Sequence, residues 1–151
     1  MKVSIASDHA GYRLKDRIAA LVRDLGHEVI DLGVFSDAST DYPDHAAAAS
    51  AEISAGRSQR AILICGTGVG MSIAANKFDG VRAAAVSETV SARLAREHND
   101  ANILCIGERI VGPEVADDIV RVFMTAEFAG GERHVRRVAK IGALEDRTPS
   151  A

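Results

Sequence analysis

Residues 64–72 read Ile-Cys-Gly-Thr-Gly-Val-Gly-Met-Ser. Glycines at 66, 68 and 70 let the backbone amides of this stretch turn toward one point. A helix starting behind them adds the positive end of its dipole. Such a nest binds an anion. Cys65 stands at its edge, and helix N-termini favour thiolates, so the pattern implies a base or nucleophile beside an anion hole. The same residues also fit a buried strand cysteine followed by a tight turn. A dinucleotide loop is a third reading. The spacing is G-x-G-x-G, one residue short of G-x-G-x-x-G, although Glu88 stands near the end of the next strand, where a ribose-binding acid would lie.

Asp8-His9 places a carboxylate beside an imidazole, a pair able to move protons to and from hydroxyls. Asp8 equally suits the cap of a following helix. His98-Asn99 closes a helical stretch, where a histidine also suits the dipole. Arg133, His134, Arg136, Arg137 and Lys140 form a basic cluster. Arg133 and Arg137 are spaced i, i+4 and share a helix face, from which two guanidiniums can clamp a phosphate. A solvated basic face is the plainer reading. His27, His45 and His134 have no metal-ligand spacing with Cys65 or Cys105, so no metal is expected.

The elements that must position these residues alternate. Apolar runs at 3–6, 28–32, 60–65, 81–86 and 103–106 read as strands. Between and after them, helical spacing covers 14–25, 45–56, 69–76, 88–98, 113–127 and 133–146, with Ser87 as an N-cap and Pro113 in a first turn. Residues 33–44 read as a loop. Strands alternating with helices mean a parallel sheet covered on both faces. The expected fold is a three-layer α/β/α, Rossmann-like domain over residues 1–147, with five parallel strands, a C-terminal basic helix and a loose tail at 148–151. Strand order does not follow from the sequence. Ligands in such folds bind beyond the carboxyl ends of strands. That rule points to Asp8-His9, the Asp41-Tyr42 loop, Cys65 to Gly68, Ser87-Glu88 and Gly107-Glu108-Arg109.

Composition narrows the function. The 151 residues are 47% hydrophobic, enough for a full core and too many for a disordered chain. Two cysteines exclude a disulfide scaffold. With 18 basic and 21 acidic residues, 4% aromatics and no Trp, neither nucleic acid nor a membrane surface is an expected partner. The first apolar run passes directly into Ser7-Asp8-His9, unlike a signal peptide, so a cytoplasmic location is expected.

Longer motifs join these pieces: Ser-Asp-His-Ala-Gly at 7–11, Thr-Asp-Tyr-Pro-Asp at 40–44, the glycine stretch continued as Ile-Ala-Ala-Asn-Lys to 77, Ser-Ala-Arg-Leu-Ala-Arg-Glu-His-Asn-Asp-Ala-Asn at 91–102, Gly-Glu-Arg-Ile-Val-Gly at 107–112, and Arg-His-x-x-Arg-Val at 133–138. Together they resemble type B ribose-5-phosphate isomerases, whose family includes galactose-6-phosphate and allose-6-phosphate isomerases. The resemblance runs from Met1 to about Glu145. It implies a cofactor-free aldose–ketose isomerase acting on a sugar phosphate, ribose 5-phosphate first, and a homodimer or tetramer whose active sites are shared between chains. By motif match, Cys65 is the base at C2 and the amides of Gly66, Thr67, Gly68, Val69 and Gly70 hold the enediolate. Thr67 joins the catalytic set. His98 opens the sugar ring, with Asp8 near the hydroxyls. Asp8, His9, Tyr42 and Asn99 contact substrate, and Arg109, Arg133 and Arg137 hold the phosphate.

Two departures qualify the match. One branch of the family lacks the cysteine and carries a glutamate just after the glycines; Cys65 and Met71 place this chain with the thiol branch. Glu132 adds a residue between Gly131 and Arg133, which leaves the arginine spacing intact and alters the entry to that helix.

Overall fold

The apolar runs form strands β1 (Lys2–Ser7), β2 (Glu28–Asp31), β3 (Arg60–Cys65), β4 (Ala83–Ala85) and β5 (Ile103–Gly107). The helices are α1 (Tyr12–Asp24), α2 (Tyr42–Ser54), α3 (Val69–Ala75), α4 (Thr89–Asn99), α5 (Pro113–Thr125) and α6 (Glu132–Gly142), with a 3₁₀ turn at His9–Gly11. The structure is a computed structural model that describes residues 1–145. The expected tail at 148–151 lies outside the described residues.

All strand pairs are parallel, in the order β2-β1-β3-β5-β4. The chain leaves β1 to one side to build β2 and returns on the other side of β1 to build β3. The carboxyl ends of β1 and β3 therefore flank a topological switch point, where open α/β sheets bind ligands. Asp8 follows one end and Cys65 closes the other.

Both faces of the sheet are covered, which is why its central strands read as continuous apolar runs. Val3, Ile5, Ile62, Ile64, Leu104 and Ile106 pack with Leu14, Ile18 and Val22 of α1 and Ile119, Val120 and Phe123 of α5. Ala6, Ala61, Leu63, Cys65, Ile103 and Cys105 pack on the other side with Ala46 and Ala49 of α2 and Met71 and Ala75 of α3. At the amino end of the sheet, the buried Arg60 donates to the carbonyls of Phe123 (2.6 Å) and Ala126 (3.2 Å), holding the end of α5. Asp31, in a strand that reads as apolar, accepts from the fully buried Lys15 Nζ at 2.6 Å. That pairing explains why an acid is tolerated there.

Several boundaries differ from the sequence reading. Helix α2 starts at Tyr42, three residues before the expected 45, because Pro43 sits in its first turn and is pre-organised for it. Strand β4 is only Ala83–Ala85, since it is an edge strand with a single neighbour. The cap of α4 is Glu88 rather than Ser87. The Glu88 carboxylate accepts from the amides of Val90 (2.5 Å) and Ser91 (2.7 Å); the Ser91 side chain first, then these amides, pull its pKa below the usual carboxylate range. With that side chain spent on the cap, the dinucleotide reading loses its ribose-binding acid. Helix α6 ends at Gly142, short of 146. Among the described residues, no helix is long and apolar enough to cross a membrane.

Candidate active site

At the carboxyl end of β3, Cys65 is 5% exposed. The chain turns at once, and the Gly68 amide points back to donate to Cys65 Sγ at 3.1 Å. Gly68 makes this turn at φ +78, and a Cβ there would meet the Ile106 carbonyl carbon at 3.0 Å. Glycine is therefore required by conformation and by space. An N–H aimed at the sulfur is the arrangement a thiolate base needs. Cys105, on the same face of the sheet one strand away, has no such donor among the described residues. Burial, with Cys65 as a lesser influence, pushes its thiol well above the usual range, so Cys105 is an inert core residue.

The expected oxyanion nest is partly occupied by the protein itself. The Gly68 amide serves Cys65, and the Val69 amide donates to Thr67 Oγ1 at 3.3 Å. The first-turn amides of α3 have no intrahelical acceptor, so the half-buried Gly70 offers a donor at the end of this turn, whereas Met71 is fully buried. Because α3 has only seven residues, these individual amides matter more than a helix dipole.

Asp8 lies across the switch point, 7% exposed, with its amide donating to the Ile64 carbonyl at 3.1 Å. Its Oδ1 accepts from Ala10 (2.9 Å) and Gly11 (3.1 Å), capping the 3₁₀ turn. The capping reading of Asp8 is thus correct for one oxygen. Oδ2 has no partner among the described residues and is left able to accept a hydrogen bond. His9 Nδ1 accepts from the Thr40 amide at 3.3 Å, which puts the proton of the neutral ring on Nε2.

Two side chains border the glycine stretch. The Tyr42 ring lies over Gly70, where a Cβ would come within 2.7 Å of it. The Arg109 guanidinium lies over Gly66, where a Cβ would be 3.3 Å from Nη1. Glu108 fixes this corner: its amide donates to the Cys65 carbonyl at 2.9 Å, and its Oε2 accepts from the Leu14 amide at 3.2 Å. Asp8, His9, Tyr42, Cys65, Thr67, the glycines and Arg109 thus gather at one end of the sheet.

His98, Asn99, Arg133 and Arg137 do not join them. Helix α4 starts beyond the carboxyl end of β4 and runs back to the amino end. There the Asn102 and Ile103 amides donate to the Arg82 carbonyl. Eleven residues of helix separate its two ends by about 16 Å, so His98 and Asn99 sit at the opposite edge of the sheet from Cys65. The His98 ring stacks on His134 of α6, centroids 4.4 Å apart and planes within 9°. Arg133 and Arg137 are exposed on α6. Among the described residues, no carboxylate pairs with Arg109, Arg133 or Arg137.

One chain therefore carries two clusters at opposite ends of the sheet: a thiol held by a turn of glycines at one end, and an imidazole with two guanidiniums that no carboxylate pairs among the described residues at the other. The sequence reading placed Thr40 and Glu108 in motifs without their contacts, and it missed the stacking partner of His98. Thr40 acts through its amide and Glu108 through its amide and a carboxylate bond to the Leu14 amide, and His134 reads as one more member of a basic cluster. Among the described residues, no group of three or more His, Cys, Asp or Glu is arranged to hold a metal ion.

A family model described as Ribose/Galactose Isomerase matches residues 3–141. Ribose-5-phosphate isomerase B of Escherichia coli is 48% identical over 97% of this chain and 97% of its own. D-erythrulose-4-phosphate isomerase of Pectobacterium atrosepticum is 39% identical over 96% of this chain and 95% of its own. The solved structure of ribose-5-phosphate isomerase B from Clostridium thermocellum superposes with a TM-score of 0.94 at 52% identity, covering 96% of this chain and 97% of that one.

Proposed function

The chain belongs to the Ribose/Galactose Isomerase family, and from that premise we propose that it interconverts ribose 5-phosphate and ribulose 5-phosphate by proton transfer through an enediolate. The observation that carries the chemistry is the Cys65 sulfur, held by the Gly68 amide at 3.1 Å beside the α3 amides and across the switch point from Asp8. A C–H next to a carbonyl is weakly acidic. A positioned base contributes roughly 10²–10⁴-fold to its removal, and each donor to the developing oxyanion about 3–4 kcal/mol.

The sugar arrives mostly as a ring. His98 protonates the ring oxygen as its bond to C1 breaks, while the C1 hydroxyl gives up its proton near Asp8 and becomes the aldehyde. The Cys65 thiolate then takes the C2 proton, and the electron pair moves to O1. The enediolate is held by the Gly70 amide, with Thr67 and Gly66 alongside. The proton returns at C1, the O2 hydroxyl proton passes to O1, and the ketose forms. Asp8, His9, Tyr42 and Asn99 orient the hydroxyls, while Arg109, Arg133 and Arg137 hold the phosphate. That group is remote from the reacting carbons, so its binding serves positioning.

This requires two chains per site. Cys65 of one copy and His98, Asn99, Arg133 and Arg137 of another would enclose each sugar, in a homodimer or a tetramer. Support comes from the distance between the two clusters and from the surface around them. Val69 and Ile73 of α3, with Ile110, are more than half exposed near edge strand β4, whose Ala83 amide and carbonyl are paired with the Asn76 side chain. Val135 and Ile141 of α6 are also uncovered. We place the enzyme in the cytoplasm, where free Cys65 and Cys105 stay reduced.

The likeness to a D-erythrulose-4-phosphate isomerase favours a second reading, the same chemistry on a four-carbon phosphate. Turnover measured on four-, five- and six-carbon aldose phosphates decides between them. The highest kcat/KM is expected on ribose 5-phosphate. A larger value on the tetrose phosphate would move the assignment, and no turnover on any of them would overturn it.

A further inference from the structure

His134 is not part of the chemistry above, yet its surroundings are the most constrained on α6. Of the eleven residues of that helix, only His134 is buried. Its ring lies flat on His98, 4.4 Å between centroids and 9° between planes. Its Nε2 accepts a hydrogen bond from Arg133 Nε at 3.2 Å. An accepting Nε2 carries no proton, so the proton of the neutral ring is on Nδ1. One imidazole therefore touches the ring assigned to sugar opening with its face, and a guanidinium assigned to the phosphate with its edge.

Resting on those two assignments, we propose that His134 is a positioning residue that sets the His98 ring plane by stacking and holds the Arg133 guanidinium through Nε2. The groups facing it are His98 from α4 and Arg133 and Arg137 from α6. Burial first, then these cationic neighbours, lower its pKa below the usual histidine value. A neutral His134 is the partner His98 needs. An imidazolium stacks well on a neutral ring, whereas two stacked imidazoliums repel. The pair thus has one ring free to change charge during ring opening, with its neighbour locked in a single tautomer. The same contact joins α6 to α4 and so ties the residues assigned to the phosphate to the ring assigned to sugar opening.

The two contacts can be separated. His134→Phe keeps a flat buried ring and removes the acceptor for Arg133. His134→Gln keeps an acceptor near the Nε2 position and removes the stack. Two reactions are compared in heavy water: net conversion of ribose 5-phosphate, and wash-in of deuterium at C1 of ribulose 5-phosphate. With C5 phosphorylated, the ketose cannot close a five-membered ring, so its exchange reports enediolate formation without ring opening. For His134→Gln the expected result is net ribose conversion down about tenfold or more, with ketose exchange within about threefold of wild type. For His134→Phe the expected result is KM up by about three- to tenfold, with kcat nearly unchanged.

His98→Asn is the control for the underlying assignment. If it converts ribose 5-phosphate as wild type does, the role of His98 falls, whatever His134 does. If His98→Asn loses ribose conversion selectively while both His134 variants lose the two reactions equally, His134 merely anchors the helix, and the proposal is overturned. Wild-type behaviour of both His134 variants overturns it as well.

Discussion

The Gly68 amide donates to the Cys65 sulfur across a turn of three residues, at 3.1 Å. This bond singles out Cys65 from Cys105, which shares its face of the sheet and lies one strand away. Cys65→Ala should remove nearly all isomerase activity with the fold intact, its melting temperature lowered no more than that of Cys105→Ala, because Cys65 closes β3 at the end of the core cluster both share. Retention of more than about a tenth of wild-type kcat would assign the base elsewhere, given the 10²-fold floor for such catalysis. Cys105→Ala should do the reverse, costing on the order of 1 kcal/mol of stability through the cavity it leaves and little turnover. Thermal melts and initial rates on the two variants settle both halves.

Gly68 and Gly70 make a second contrast. Gly68→Ala puts a side chain at φ +78, 3.0 Å from the Ile106 carbonyl carbon and 3.2 Å from the Cys105 carbonyl oxygen. Backbone cannot swing aside, so the conformation alone should cost about 1–2 kcal/mol. The displaced amide should lower kcat by about tenfold or more, as small misplacements at a reacting centre do. Gly70→Ala meets only the Tyr42 ring at 2.7 Å, and Tyr42 is 41% exposed and able to move. Its stability should hold while KM rises. Equal melting temperatures for wild type and Gly68→Ala would show that the turn is softer than its contacts imply.

How much of this was legible beforehand follows from what each residue touches. Strand β3 reads correctly to the residue because all six positions are buried, so its aliphatic run has no interruption. Strand β4 does not, since Ala83–Ala85 is an edge whose sequence carries little signal. The glycine stretch announces its turn through local geometry, which a sequence displays directly. Which amides stay free does not show, because Gly68 and Val69 are taken by Cys65 and Thr67. The stack of His98 on His134 joins two helices distant in sequence, and neither histidine has a neighbour in the chain that hints at the other.

The separation of the two clusters yields a test by mixing. Cys65→Ala and Arg137→Ala should each be nearly inactive at low substrate, the second through KM and with far less effect on any turnover of unphosphorylated sugar. Unfolded together and refolded, or co-expressed, they should regain activity. Each mixed dimer has one site with both an intact Cys65 and an intact Arg137, so random pairing restores about a quarter of wild-type activity. A mixture as inactive as its components, with mixed dimers confirmed by mass, would place Cys65 and Arg137 of one chain in the same site.

The last expectation concerns the route of the hydrogen. If an enediolate forms, the C2 proton passes to Cys65 before returning at C1. A thiol carries a single proton and exchanges it whenever solvent reaches the sulfur. Cys65 is 5% exposed in the free chain, so exchange competes with return rather than being barred. Turnover in heavy water should therefore place deuterium at C1 of the ketose, and eventually at C2 of recovered aldose. A hydride shift would instead carry the original hydrogen across, with a metal polarising the two oxygens. Proton and deuterium NMR of product formed in heavy water, with a chelator present, separates the routes. Activity lost to the chelator together with no deuterium in the product would overturn the thiol mechanism. Full activity in chelator with deuterium at C1 would leave Cys65 as the base, and the fraction incorporated would then measure how tightly the assembled site is closed around the sulfur.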